Sequence, residues 1–170
     1  HEEALKAFGS AIKHNKKFSD AYYNAALVYR DLAKKTKDKK HLDKAIADLK
    51  TATTVNAEHQ FAHNELAQIY QELNQHEQAI IRYRLALEID PKMCDGWNNL
   101  ANLYTKIGQT LKAQQALNQA IACKPNSTYA HMNLGLNYLK DDNYEMAIKE
   151  FNNVITIQPT HELAYFNIGY

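Results

Sequence analysis

Three prolines, five glycines, two cysteines and one tryptophan are spread over 170 residues, and each scarcity excludes something. So few prolines and glycines exclude a collagen-like or low-complexity chain and suit long helices joined by short turns. Two cysteines are too few for a disulfide framework in a chain with a large repetitive core. Both are therefore expected as free thiols, Cys123 at a core position aligned with Ile89 and Ile157, Cys94 nearer solvent. Free thiols incline the expected compartment towards the cytoplasm. No apolar run approaches the roughly 20 residues of a membrane span, and no stretch reads as a signal peptide. No nucleophile elbow, phosphate-binding glycine loop or HExxH motif occurs, so no catalytic residue, cofactor or metal is expected. His59 and His63 are four apart, which presents two imidazoles on one helix face. No cysteine or acidic ligand is placed with them.

Net charge is also nearly absent, with 20 Lys+Arg against 19 Asp+Glu. A neutral balance argues against a nucleic-acid binder. The charge is unevenly placed: residues 1–59 hold 12 basic against 8 acidic groups, and residues 60–170 hold 8 against 11. The basic excess gathers in Lys34, Lys35, Lys37, Lys39, Lys40 and Lys44, which read as solvated helix ends because Asp38 and Asp43 interrupt them and no base-stacking aromatics accompany them.

What is abundant is periodicity. Pro91, Pro125 and Pro159 stand 34 residues apart. The same shift lays Ala79 over Ala113 and Ala147, Tyr83 over Leu117 and Phe151, and Ala86 over Ala120 and Val154. Tyr70 likewise falls on Tyr104 and Tyr138, and Leu66-Ala67 on Leu100-Ala101 and Leu134-Gly135. Within one segment, Leu66, Ala67 and Tyr70 share one helix face, as do Ala79, Tyr83 and Ala86. Two amphipathic helices joined by a short polar turn form an antiparallel hairpin. The alanines let the backbones approach, and the tyrosines fill the space beside them. Pro91 ends the second helix, lacking an amide donor and restricting Asp90 before it.

Trp97, Leu100, Ala101 and Tyr104, followed by Ala113, Ala120 and Pro125, match the signature of the tetratricopeptide repeat (TPR) family, which the whole chain resembles. His63, His131 and Tyr22 replace the tryptophan, and Leu117 replaces an aromatic. The resemblance implies an all-α fold, a right-handed superhelical solenoid of antiparallel helix pairs. The register gives repeats at 19–59, 60–93, 94–127 and 128–161, with half-repeats at 1–18 (a second helix carrying Ala4, Phe8 and Ala11) and 162–170. The first full repeat carries seven extra residues, expected to lengthen its helices as readily as to form a loop. Terminal repeats need a polar outer face, whereas the chain closes on an apolar stretch and begins without methionine, so a piece of a longer protein is expected.

In this family the first helices line the concave face, and aligned columns identify what they offer. One column reads Asn24, Glu65, Asn99, Asn133 and Asn167. Its neighbour reads Tyr23, Asn64, Asn98, Met132 and Phe166, and a third reads Leu27, Gln68, Asn102 and Leu136. An amide both donates and accepts, so Asn24, Asn64, Asn98, Asn99, Asn102, Asn133 and Asn167 are candidates for holding the backbone of an extended peptide. The ladder resembles the concave surface of the TPR domain of O-GlcNAc transferases. The same asparagines could instead bond between adjacent helices. Tyr129, Met132, Leu136, Leu139 and Phe166 are candidate apolar anchors, each worth roughly 1.5–3 kcal/mol when buried. The columns that supply cations in co-chaperone TPR domains read Asp20, Phe61, Asp95 and Tyr129 here, so that way of clamping an acidic C-terminus is not expected. The function expected is a protein-interaction scaffold for a peptide segment or helix of a partner, with self-association a further possibility. The alternative is the substrate-recognition region of a larger enzyme such as an O-GlcNAc-transferase-like glycosyltransferase.

Overall fold

The computed structural model describes residues 1–169; the Tyr170 end of the expected terminal half-repeat lies outside the described residues. Ten helices and no strands occur among them. The first compact unit, His1–Asp90, holds α1 (Glu2–His14), α2 (Ser19–Thr36), α3 (Lys39–Val55), α4 (Gln60–Glu72) and α5 (His76–Ile89). The second, Pro91–Tyr170, holds α6 (Cys94–Lys106), α7 (Thr110–Cys123), α8 (Thr128–Lys140), α9 (Tyr144–Ile157) and α10 (Glu162–Ile168). The dominant packing is pairwise and antiparallel: α2 with α3, α4 with α5, α6 with α7, and α8 with α9.

Turn chemistry explains the pairing. Asn74, Gly108 and Asp142, one per hairpin and spaced by the repeat, adopt left-handed backbone with φ of 58°, 77° and 54°. Glycine, asparagine and aspartate tolerate that region best. Lys37 (φ 58°) occupies it in the lengthened hairpin. There α2 spans 18 residues against 13 in α4, and α3 spans 17 against 14 in α5. The seven extra residues thus extend both helices, and Asp38 caps α3 by accepting from the Lys40 amide at 2.8 Å. Helix extension keeps these backbone groups paired where a loop would leave them to solvent.

Small residues set the helix spacing. Ala67, Ala79, Ala86, Ala101, Ala113, Ala120 and Ala147 are fully buried, as are the bulky Tyr83, Leu117 and Phe151 that fill the gaps beside them. Gly135 marks the tightest approach, because a Cβ there would lie 2.5 Å from the Phe151 ring.

One expectation is overturned. Cys94 and Cys123 are not free thiols: they form a disulfide, with Cα atoms 5.5 Å apart. The reason is topological. An antiparallel hairpin brings the first residue of α6 beside the last residue of α7, at a separation within the bridging range. The count of two cysteines cannot reveal that juxtaposition, since they lie 29 residues apart in sequence. Both are half-buried, including Cys123, which was aligned with core positions.

Candidate functional site

Within each unit side-chain hydrogen bonds link successive first helices, and these bonds differ between the units. In the first, Arg30 on α2 reaches across to α4. Its guanidinium donates to Glu65, to Gln68 at 3.0 Å and to Glu72 at 2.7 Å. Only 12% of its side chain is exposed. Burial acts against the charged guanidinium, but the two carboxylates more than offset it and hold the group protonated above its usual range. Tyr23 stands beside this cluster, its phenol pushed up by burial and by the Glu65 charge. Its ring is 4.9 Å from that of His59 and 6.4 Å from that of Phe61. His59 Nε2 in turn lies 3.1 Å from the Asp20 carboxylate.

In the second unit the face is built from amides. Asn102 Nδ2 on α6 donates to the Tyr129 hydroxyl on α8 at 2.5 Å, and Asn102 Oδ1 accepts from Asn133 Nδ2 at 3.2 Å. One turn along, the Thr105 hydroxyl donates to Asn137 Oδ1 at 3.1 Å, and Asn137 Nδ2 donates to the Asn133 carbonyl at 2.8 Å. Asn137 is 2% exposed, a helix-to-helix link that belongs to none of the aligned amide columns.

The remaining ladder asparagines fall into distinct groups. Asn24 and Asn167 each donate to the carbonyl four residues earlier, at 2.8 and 2.6 Å, which leaves their side-chain oxygens as acceptors. Asn99 is half-buried and makes no side-chain bond among the described residues. Asn64 and Asn98 sit deeper: the Oδ1 of each is buried without a hydrogen-bond partner, and Asn98 is 7% exposed. Among the apolar candidates, Tyr129, Leu136 and Phe166 are exposed. Met132 and Leu139 are instead half-buried, packed against the cluster of Ala147, Phe151, Val154 and Ala164.

Sequence reasoning missed Arg30, although it is the sole Lys or Arg on a first helix outside the last turn. Its partners Glu65 and Glu72 are seven apart on one face of α4. The tryptophan column also carries more than packing. Trp97 Nε1 donates to the Pro91 carbonyl at 2.9 Å. Two of its replacements do the same, His63 Nε2 to the Ala57 carbonyl at 3.0 Å and His131 Nε2 to the Pro125 carbonyl at 2.9 Å. No group of His, Cys, Asp and Glu with metal-binding geometry occurs among the described residues. No helix there is long and apolar enough to cross a membrane.

Paired helices recurring on one beat, with side chains linked across successive first helices, define a helical-repeat protein-interaction scaffold. The TPR repeat profile matches residues 67–108, and the tetratricopeptide repeat profile matches residues 95–127 and 128–161. The chain belongs to the tetratricopeptide repeat family. No curated protein matches the sequence. Among solved structures, the crystal structure of MamA is similar over 91% of this chain and 86% of its own, at 20% identity and a TM-score of 0.80. MamA from Desulfovibrio magneticus RS-1, from residue 41 onwards, is similar over 95% and 87%, at 17% identity and a TM-score of 0.77. The first TPR domain of Spaghetti (RPAP3), bound to the HSP90 peptide SRMEEVD, is similar over 64% of this chain and 86% of its own, at 21% identity and a TM-score of 0.60.

Proposed function

We propose that this chain is a non-catalytic scaffold that receives an extended segment of a partner protein along its first helices, with repeats at 19–59, 60–93, 94–127 and 128–161 and half-repeats at 1–18 and 162–170. The observation that carries the reading is the Asn102–Tyr129–Asn133 chain of hydrogen bonds. It draws polar groups of α6 and α8 onto one face, beside which Leu136 remains exposed. On this reading Asn102 and Asn133 hold the face in shape. Asn24 in the first unit, and Asn99 and Asn167 in the second, have unused donor or acceptor capacity and meet the backbone of a segment lying on their own unit. Each such bond adds about 0.5–1.5 kcal/mol net, so several rungs act together. Tyr129, Leu136 and Phe166 then supply apolar contact. The peptide held by the Spaghetti domain is a precedent for the mode, not for the ligand.

The cytoplasm was favoured on the ground of free thiols. With Cys94 and Cys123 bonded, an oxidising compartment is the better proposal, because reducing compartments keep such pairs open.

Site-specific photo-crosslinking tests the face. A crosslinking residue in place of Leu136 or Phe166 is expected to capture partner, and one in place of Lys149, exposed on the second helix α9, is not. Equal capture from all three positions would overturn the reading.

A further inference from the structure

Carboxylates and aromatic rings share one aligned position of the first helices. One aligned position per first helix reads Asp20, Phe61, Asp95, Tyr129 and Leu163, and every one of these side chains is exposed. Each unit, taken by itself, sets a carboxylate on one first helix and an aromatic ring on the next. In the first unit the two belong to one contiguous patch. Asp20 lies 3.1 Å from His59, the His59 ring stacks obliquely on Tyr23, and Tyr23 meets Phe61. In the second unit the Tyr129 ring is tethered to α6 through Asn102, and Asp95 stands seven residues before Asn102 on the same helix face.

Among the described residues, Lys and Arg are sparse in the bodies of the first helices. Lys34, Lys35, Lys106 and Lys140 all sit in the last turns of their helices. Arg30, in the body of α2, is occupied by Glu65 and Glu72. An acidic segment laid along the bodies of these helices would meet carboxylates and, among the described residues, no Lys or Arg but the occupied Arg30. A lysine or arginine finds a carboxylate for its head, and an aromatic face for its methylene stem and charge.

Resting on the reading that the first helices hold a peptide, we infer that each unit takes a basic segment, one that presents Lys or Arg side chains to Asp20 and lays their stems on Phe61 in the first unit, or does the same with Asp95 and Tyr129 in the second. The Tyr129 ring is tethered by Asn102 and the Phe61 ring lies beside Tyr23, which lessens the ordering needed on binding. Exposed ion pairs are individually weak and screened by salt. Affinity therefore comes from several such contacts and falls as ionic strength rises.

Fluorescence anisotropy with labelled peptides of about twelve residues, alike except that the charged positions are Lys/Arg, Ser/Gln or Asp/Glu, tests this on the full chain. The cationic peptide is expected to bind about tenfold or more tighter than the anionic one at low salt. An Asp20→Lys/Asp95→Lys variant is expected to lose about tenfold of that affinity with its helical circular dichroism unchanged, and Phe61→Ala/Tyr129→Ala a smaller part. Tighter binding of the anionic peptide, or cationic binding indifferent to the double reversal, overturns the inference. If neutral or anionic peptides bind and Leu136→Asp abolishes that binding, the peptide face stands and the basic preference alone falls. If no peptide binds, the inference falls, and the crosslinking experiment decides the face separately.

Discussion

The imidazole of His131 repeats, one repeat later, the bond made by the indole of Trp97: each ring nitrogen lies 2.9 Å from the carbonyl of the proline six residues before it. The smaller ring leaves room for a second contact, and His131 Nδ1 sits 2.6 Å from Glu150 on α9. Both residues of that pair are buried. Truncating His131 removes the carbonyl's partner and leaves the buried carboxylate only the longer bond from Asn153 Nδ2, at 3.3 Å. His131→Ala should therefore destabilise the chain by about 3 kcal/mol in urea unfolding. Glu150→Gln, which retains a hydrogen-bonding group, should cost less. Equal costs would show that the pair contributes only packing.

His63 occupies the same column without a carboxylate. Burial lowers its pKa, with the nearby Arg82 and His59 charges adding to that and the bond to Ala57 opposing it. The folded chain thus resists a proton that the unfolded chain accepts near pH 6.5. Stability is full above that value and declines as pH falls through it, because the unfolded state then binds more protons. Melting temperature should drop between about pH 7.5 and about pH 5.5, and the drop should be smaller in His63→Trp, which keeps a ring N–H for Ala57. Comparing slopes removes the contribution of the other histidines. An unchanged slope in the variant would refute the assignment.

Gly135 faces Phe151 where the other repeats place alanine. With a Cβ only 2.5 Å from a fully buried ring, Gly135→Ala should destabilise by about 1–3 kcal/mol despite its better helix propensity. Ala101 and Leu117 coexist one repeat earlier, both fully buried. The double variant Gly135→Ala/Phe151→Leu should therefore recover part of the loss, read as a non-additive cycle.

The Cys94–Cys123 bond closes a hairpin that α6 and α7 already hold through Ala101, Ala116, Leu117 and Ala120. Reduction should lower stability by about 2–4 kcal/mol without loss of helical signal at room temperature. Cys94→Ser/Cys123→Ser should show the lower stability from the outset and no response to reductant. A wild-type melting curve unaffected by dithiothreitol would contradict the bond's contribution.

Hairpin order was legible because it depends on spacings within one helix. Ala79, Tyr83 and Ala86 specify a face wherever they occur, and three proline-marked repeats make the pattern redundant. Even the lengthened α2–α3 hairpin could be located by its missing register. The candidate face was legible only as columns. Aligning Asn102 with Gln68 and Leu136 identifies neighbours along the array but not which amide bonds to which. Met132 illustrates the limit: it shares a column with Asn64 and Phe166, yet its side chain is partly buried against the Phe151 cluster.

Sequence by itself thus determined the family, the pairing of helices and the repeat beat, since these follow from local propensity and one-helix periodicity. Tertiary structure decided how Arg30 is occupied, that Asn102 and Asn133 bond to each other, and that Cys94 meets Cys123. Each of those is a contact between residues about thirty or more positions apart, fixed by where two helices pack and not by the composition of either.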